Sequence, residues 1–278
     1  MTREFLRVLD CDFVVDFDSV RAHRFILACY SRFIVAEARQ PSGLTRVSIT
    51  RTTDGGWRLS IDDGSIYCRS IADLIYDFEK ELTLRIQLRR PELLFVHGAA
   101  VASGDRCVVI AGESGAGKST LCWTLCNEGF TYMSDELAPV SPDGRFVEAY
   151  PHAICLKQRP ENSYALPDSL VDTGATMHVP AAAIPGPVSS AARQLSAIVF
   201  IEARSSGHPS RDLSRISVAE AAARLYSNAL NQLAHDRAGL RAVLGIVNDT
   251  PAFTLCRSDP SRMSALIGDV MAKGCKAA

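Results

Sequence analysis

What this chain lacks narrows its class first. Its 278 residues contain no apolar run of membrane-spanning length, so no transmembrane helix is expected. The first residues lack the apolar stretch of a secretory signal, and a cytoplasmic location is the expectation. Neither sign of charge is in excess: 30 Lys and Arg face 31 Asp and Glu, for a net charge of −1. That balance argues against a protein that binds nucleic acid through bulk charge. The nine cysteines contain no C-x-x-C pair, and no Cys and His set is spaced for zinc. Scattered thiols in odd number, without a framework, fit a reducing compartment. Internal repeats and low-complexity segments are also missing. Of the six histidines, five read as ordinary surface or satisfied polar residues, and His97 is the exception.

What is present is a complete phosphate-binding loop, Gly112-Glu113-Ser114-Gly115-Ala116-Gly117-Lys118-Ser119. The apolar run Cys107 to Ala111 precedes it, and a helical segment from Thr120 to Asn127 follows. Strand, glycine loop and helix is the context in which the pattern acts as a site. Successive backbone N–H groups of Gly112, Glu113, Ser114, Gly115, Ala116 and Gly117 form a concave nest for phosphate oxygens. The helix beginning around Thr120 turns its positive dipole end to the same place. Lys118 is placed to reach the β- and γ-phosphates, and the Ser119 hydroxyl to sit on Mg²⁺.

Residues 1–90 read as a small α+β domain and 91–278 as an α/β catalytic domain. In the first, Phe5 to Asp16 predicts one or two strands and Val20 to Ile34 a helix. Arg46 to Arg51 and Trp57 to Ile61 flank Asp54-Gly55-Gly56 as a hairpin, and Asp63-Gly64 turns into a third strand, Ser65 to Cys68. Ile71 to Leu88 predicts an amphipathic helix stopped by Pro91, its Arg85 to Arg90 cluster a solvated end. In the second, Leu93 to Ala102 and Arg106 to Ala111 are strands joined at Gly104-Asp105, and Thr131 to Met133 is the next strand. Residues 141–195 are expected to be irregular, and Glu161 to Pro187 has a composition that allows a lid. Leu195 to Ile201 predicts a buried strand, Val218 to Ala234 a helix with Leu233 on its apolar face, Ala252 to Cys256 a strand and Arg262 to Met271 a closing helix. Cys122 and Cys126 are expected to face the core.

Two features sharpen the site. If Gly104-Asp105 is a two-residue loop, Ser103 pairs with Arg106 and His97 falls opposite Gly112. The ladder then delivers an imidazole to the mouth of the loop; the alternative is a strand-end histidine satisfied by a backbone carbonyl. Asp135-Glu136 follow the strand after the loop helix. In a β-α-β unit, ligands bind beyond the carboxyl ends of the strands. Acids there can hold Mg²⁺, or one can accept the proton of an attacking hydroxyl; the alternative is an acidic surface turn. Ala197 to Glu202 imitates a Walker B strand ending in an acid, but reads equally well as a central strand with a solvated end.

The order and spacing of His97-Gly98-Ala99-Ala100-Val101, the loop, Gly129 and Ser134-Asp135-Glu136 resemble the HPr kinase/phosphorylase superfamily. The resemblance covers residues 95–140, more loosely to about 205. It implies a P-loop kinase domain of the HPr kinase/phosphoenolpyruvate carboxykinase type. It implies that His97 lies near the transferred phosphoryl group, and that Lys118 and Ser119 hold phosphates and Mg²⁺. Residues 112–119 with Thr120 would bind ATP, and Ser119, Asp135 and Glu136 would serve the metal. The family's catalytic aspartate falls on Glu136, with Asp135 matching the acid before it. Glu in place of Asp moves the carboxylate by one methylene. The segment for the reverse, phosphorolytic reaction is not found, and Arg193 is a weak match to a family basic residue. The N-terminal domain does not resemble the regulatory domain of bacterial HPr kinases. The pattern is more similar to HPr-kinase-related proteins of ribosomal-peptide biosynthesis, among them lasso-peptide kinases.

The function expected is ATP-dependent transfer to a serine hydroxyl of a peptide or protein, with no nucleic-acid or membrane partner. The resemblance allows a homo-oligomer. The alternatives are a kinase of free serine, a kinase of an HPr-like carrier protein and a nucleotide-binding regulator that transfers nothing.

Overall fold

The computed structural model describes residues 1–39, 43–160, 164–203, 212–231 and 239–273. It is a mixed α/β structure with three sheets. The first begins with β1 (Thr2–Val8) and β2 (Cys11–Phe17), joined by a tight turn in which Leu9 and Asp10 both take positive φ. That backbone twist suits a two-residue hairpin. Helix α1 (Val20–Tyr30), capped by the Ser19 hydroxyl, crosses to place β4 (Thr45–Arg51) parallel to β2, while β3 (Ile34–Val35) pairs with β1. Strands β5 (Trp57–Ile61) and β6 (Gly64–Cys68) complete the order β3-β1-β2-β4-β5-β6. Burial alternates along β4 and β5, as on a sheet with one covered face. The cover includes α2 (Ile71–Arg89), which opens with a Ser70/Asp73 capping box and buries Leu74, Ile75, Phe78, Leu82 and Ile86. The basic cluster at its end is ion-paired: Arg85 meets Glu81 and Asp62, and Arg90 meets Glu92 and Asp10. The core under this sheet also takes in Leu93, Phe95, Leu137, Tyr150 and Ala153 from later in the chain.

The second sheet is built on β7 (Leu94–Ser103) and β8 (Arg106–Ala111), whose register begins at Ser103–Arg106 as the two-residue loop requires. After β8 come α3 (Lys118–Asn127), β9 (Thr131–Ser134), β10 (Leu137–Val140) and β11 (Phe146–Val147). β9 runs in the same direction as β8, as a β-α-β unit would have it, but the two are not neighbours: β7 lies between them, antiparallel to both. β10 continues on β7. Residues 141–195 are more regular than their composition suggests. They hold β11 and a small sheet of β12 (Ile154–Leu156), β13 (Val171–Asp172) and β14 (Met177–Val179) in the order β12-β14-β13. Much of the expected lid segment is therefore packed, with Val179 and Ala181 buried; residues 161–163 lie outside the described set.

β15 (Arg193–Glu202) runs parallel to both β8 and β17 (Ala252–Cys256), and β16 (Leu213–Arg215) forms an antiparallel edge. α4 (Val218–Asn228) ends earlier than expected, and Leu233 and Ala234 lie outside the described residues. α5 (Gly239–Asp249) was not foreseen, and α6 (Pro260–Lys273) closes the chain. The sheet is covered on both faces. Ala99, Val108, Ile110, Val199 and Ile201 pack with α3, α6 and the small sheet, whereas Val96, Val109, Ile198 and Phe200 pack with α4 and α5. α3 is buried from Leu121 to Cys126 without a break, Cys122 and Cys126 included, because it is enclosed on several sides. No described helix is long and apolar enough to cross a membrane.

Candidate active site

The P-loop leaves β8 at its carboxyl end, in the interior of a sheet whose neighbour β15 is parallel. Gly112 turns the chain at φ 146°, and a Cβ there would lie 2.8 Å from the Ile201 carbonyl oxygen of β15. Only glycine fits that approach. Gly117 is the left-handed N-cap of α3 and supplies no side-chain cap, so the first N–H groups of the helix remain available to an anion. Ser119 and Thr120 follow in that first turn. Lys118 is only 7% exposed. Its Nζ donates to the carbonyl oxygens of Gly112, at 2.8 Å, and Glu113, at 3.2 Å. The loop therefore wraps around a buried cation. Burial pushes the Lys118 ammonium pKa down, and Glu136 and Asp135 oppose the shift.

The β7–β8 ladder pairs Gly98 with Ala111, which brings His97 level with Gly112. The ring has both a backbone and a carboxylate neighbour in one residue: it bonds to the Glu136 backbone, as the carbonyl-satisfied alternative has it, and Glu136 Oε2 lies 4.0 Å from His97 Nδ1. Gly98 is needed beside it, since a Cβ there would meet the Ile110 carbonyl oxygen at 2.6 Å. Burial lowers the His97 pKa, Lys118 lowers it further, and Glu136 partly restores it.

The two acids follow the carboxyl end of β9, at the same end of the sheet as the P-loop, as the sequence suggested. β9 and β10 both pair with β7, with Ser134 opposite Ala100 and Leu137 opposite His97, so Asp135 and Glu136 occupy the stretch between. Gly98 N–H donates to the Glu136 carbonyl oxygen at 3.3 Å. Asp135 is 1% exposed, and its Oδ2 accepts from Cys155 N–H at 2.9 Å. Its carboxyl is pushed up to about 7 by burial and by Glu136, against the Cys155 N–H, the approach of the Ser119 hydroxyl and Lys118. Glu136 is half-exposed. The neighbouring acids thus sit in unlike surroundings, one enclosed beside Ser119 and one open beside His97.

A hard divalent cation suits the enclosed position. Asp135 Oδ1 is buried and makes no hydrogen bond, and Ser119 supplies a hydroxyl beside it. Mg²⁺ is held in such sites by one or two carboxylates together with water and substrate phosphates.

Three groups escaped the sequence reading. Lys157 Nζ donates to Ser114 Oγ at 2.5 Å, and Arg257 Nη1 donates to the Gly115 carbonyl oxygen at 3.3 Å. Cys155 supplies the N–H on Asp135. Arg257 directly follows β17, a parallel strand of this sheet, and that position was a usable signal. Lys157 and Cys155 lie in the stretch whose composition suggested irregular chain. Conversely, Arg193 does not join the site. It stands at the opposite end of the sheet, 3.4 Å from Asp105 of the β7–β8 turn. Glu202 of the Walker B imitation is ion-paired with Arg224, which fits the structural reading of that strand.

Comparison with known proteins finds no matching family model and no matching curated protein. Among solved structures, the HPr(Ser) kinase/phosphatase from Coxiella burnetii is similar over 64% of this chain and 97% of its own length, at 12% identity and a TM-score of 0.38. A likeness of that degree assigns no residue a role.

Proposed function

We propose that this protein is an ATP-dependent phosphotransferase that moves the γ-phosphoryl group to a serine hydroxyl of a peptide or protein, in a P-loop kinase domain of the HPr kinase type spanning residues 91–278. The observation that carries the reading is the convergence of His97, Asp135 and Glu136 on a P-loop with a buried Lys118. A loop that merely held phosphate would need none of the three.

In this reading the loop amides and Lys118 hold the β- and γ-phosphates. Ser119 and Asp135 would hold Mg²⁺, which when bound supplies positive charge against the phosphate oxygens. Glu136, open to solvent, accepts the proton of the incoming serine hydroxyl. The serine oxygen forms its bond to the γ-phosphorus as the bond to the β,γ-bridging oxygen breaks, and ADP leaves with the electron pair. His97 borders the same space and positions the transferred group. The finer expectation, a lasso-type ribosomal precursor peptide, rests on the motif resemblance of residues 95–140 alone.

The test is acceptor-dependent ATP turnover. Lys118→Ala should abolish nucleotide binding and turnover together. ATP binding by the native chain with no turnover on any serine-bearing acceptor would favour the nucleotide-binding regulator. Turnover on free serine alone would favour a small-molecule kinase.

A further inference from the structure

Away from the P-loop, the chain brings together a group of ligand-type side chains that no spacing in the sequence announced. Cys29 comes from α1, Glu79 from α2, His152 from the segment before β12, and His178 from β14. The Cys29 Sγ, a Glu79 carboxylate oxygen and a His178 ring nitrogen all lie within 4.8 Å of one another. Glu79 Oε1 is 3.0 Å from His152 Nε2 and 3.9 Å from His178 Nδ1. The two imidazoles are 3% and 2% exposed.

The hydrogen bonds of the rings say which nitrogens face the group. His152 Nδ1 lies 3.0 Å from the Ala153 carbonyl oxygen, which can only accept, so that nitrogen carries a proton. His178 Nε2 is 2.9 Å from the Thr176 hydroxyl. His178 Nδ1 is buried and makes no hydrogen bond, whereas His152 Nε2 and Glu79 Oε1 pair with each other. A buried ring nitrogen without a partner is costly. A histidine whose outer nitrogen is fixed by an oxygen and whose inner lone pair is free has the arrangement of a metal ligand.

We propose that Cys29 Sγ, a Glu79 carboxylate oxygen and His178 Nδ1 form a site for a zinc-class divalent cation, with His152 Nε2 orienting the Glu79 carboxylate from behind. One thiolate, one imidazole and one carboxylate, with water in the fourth position, suit tetrahedral zinc. Zinc bonds of about 2.0–2.3 Å place ligand atoms about 3.3–3.8 Å apart, so a small inward movement closes the group. The ion would fasten α1 and α2, which cover the first sheet, to β14 of the small sheet, which pairs with β12. β12 also carries Cys155, whose N–H holds Asp135, so the clamp supports the P-loop site from behind. The proposal stands whether or not the phosphotransferase reading does.

The test uses the full-length, tag-free protein. Elemental analysis after dialysis should give about one zinc per chain. Metal-free protein titrated with Co²⁺ should show the intense visible bands of a tetrahedral site and a thiolate-to-cobalt charge-transfer band. Cys29→Ser should remove the charge-transfer band, and His178→Gln should lower zinc affinity by about 10-fold or more. If either variant fails to fold, the native cobalt spectrum decides alone. Native protein that holds less than about a tenth of an equivalent of zinc and gives only the pale spectrum of hydrated cobalt would overturn the proposal. The four groups would then be an ion-pair network without metal.

Discussion

At the scale of the residue, Asp135 and Glu136 are adjacent in sequence and opposite in environment. Asp135 is enclosed against Cys155 N–H and the Ser119 hydroxyl, whereas Glu136 reaches solvent beside His97. Glu136→Gln keeps the shape and removes the base. It should leave ATP binding within about 2-fold and lower phosphoryl transfer by about 100-fold or more, as loss of a general base does. Single-turnover transfer with the variant checks this, and an unchanged rate would remove Glu136 from the role. Gly98 makes a different kind of prediction. Its missing Cβ is what lets β7 approach the Ile110 carbonyl oxygen. Gly98→Ala should destabilise the protein by about 1–3 kcal/mol through overpacking, read as a lowered denaturation midpoint. The place of His97 was legible from the sequence because a two-residue loop and period-two pairing fix register over a short span. The place of Asp135, beyond the carboxyl end of β9, was legible too; that β7 lies between β8 and β9 was not.

At the scale of the element, what was legible was local. The hairpin of β4 and β5, the capped helix α2 and the strand–loop–helix of the P-loop each declare themselves within about twenty residues. β10, α5 and the small sheet did not. β10 contains Pro139 and is four residues long, and β12 to β14 are shorter still, with β12 reaching β14 across a long connection. No periodicity develops in so few residues. The pairing of β9 with β7 was equally hidden, since a strand after a P-loop helix does not declare which strand it lies beside. The β4–β5 hairpin offers a direct check. Asp54 accepts from the Thr52 hydroxyl at 2.6 Å and the Tyr67 hydroxyl at 2.7 Å. Those bonds favour the ionised carboxyl and lower its pKa from 3.8 to about 2. The hairpin support is therefore present above pH 3.8 and is lost as pH falls through about 2. An NMR titration of the Asp54 carboxyl carbon should find its midpoint near 2, and an ordinary carboxylate midpoint would contradict the turn geometry.

At the scale of the whole molecule, three sheets meet around two groups of chemistry-bearing residues. One is the P-loop with its acids and histidine; the other is the buried Cys29, Glu79, His152 and His178 group between the α1 and α2 layer and the small sheet. The second could not be read from the sequence, because its members come from four distant segments and have no ligand spacing. Its connection to the first runs through β12, where His152 precedes the strand and Cys155 holds Asp135. The central claim concerns the first group. Its most direct test is intact-mass analysis after incubation of acceptors with the protein, ATP and Mg²⁺. The acceptors are serine-bearing peptides, their alanine counterparts, free serine and a small carrier protein. The account predicts a gain of one phosphoryl group on a serine peptide, absent from the alanine peptide and absent with Lys118→Ala. No gain on any acceptor by native protein with confirmed ATP binding would contradict it.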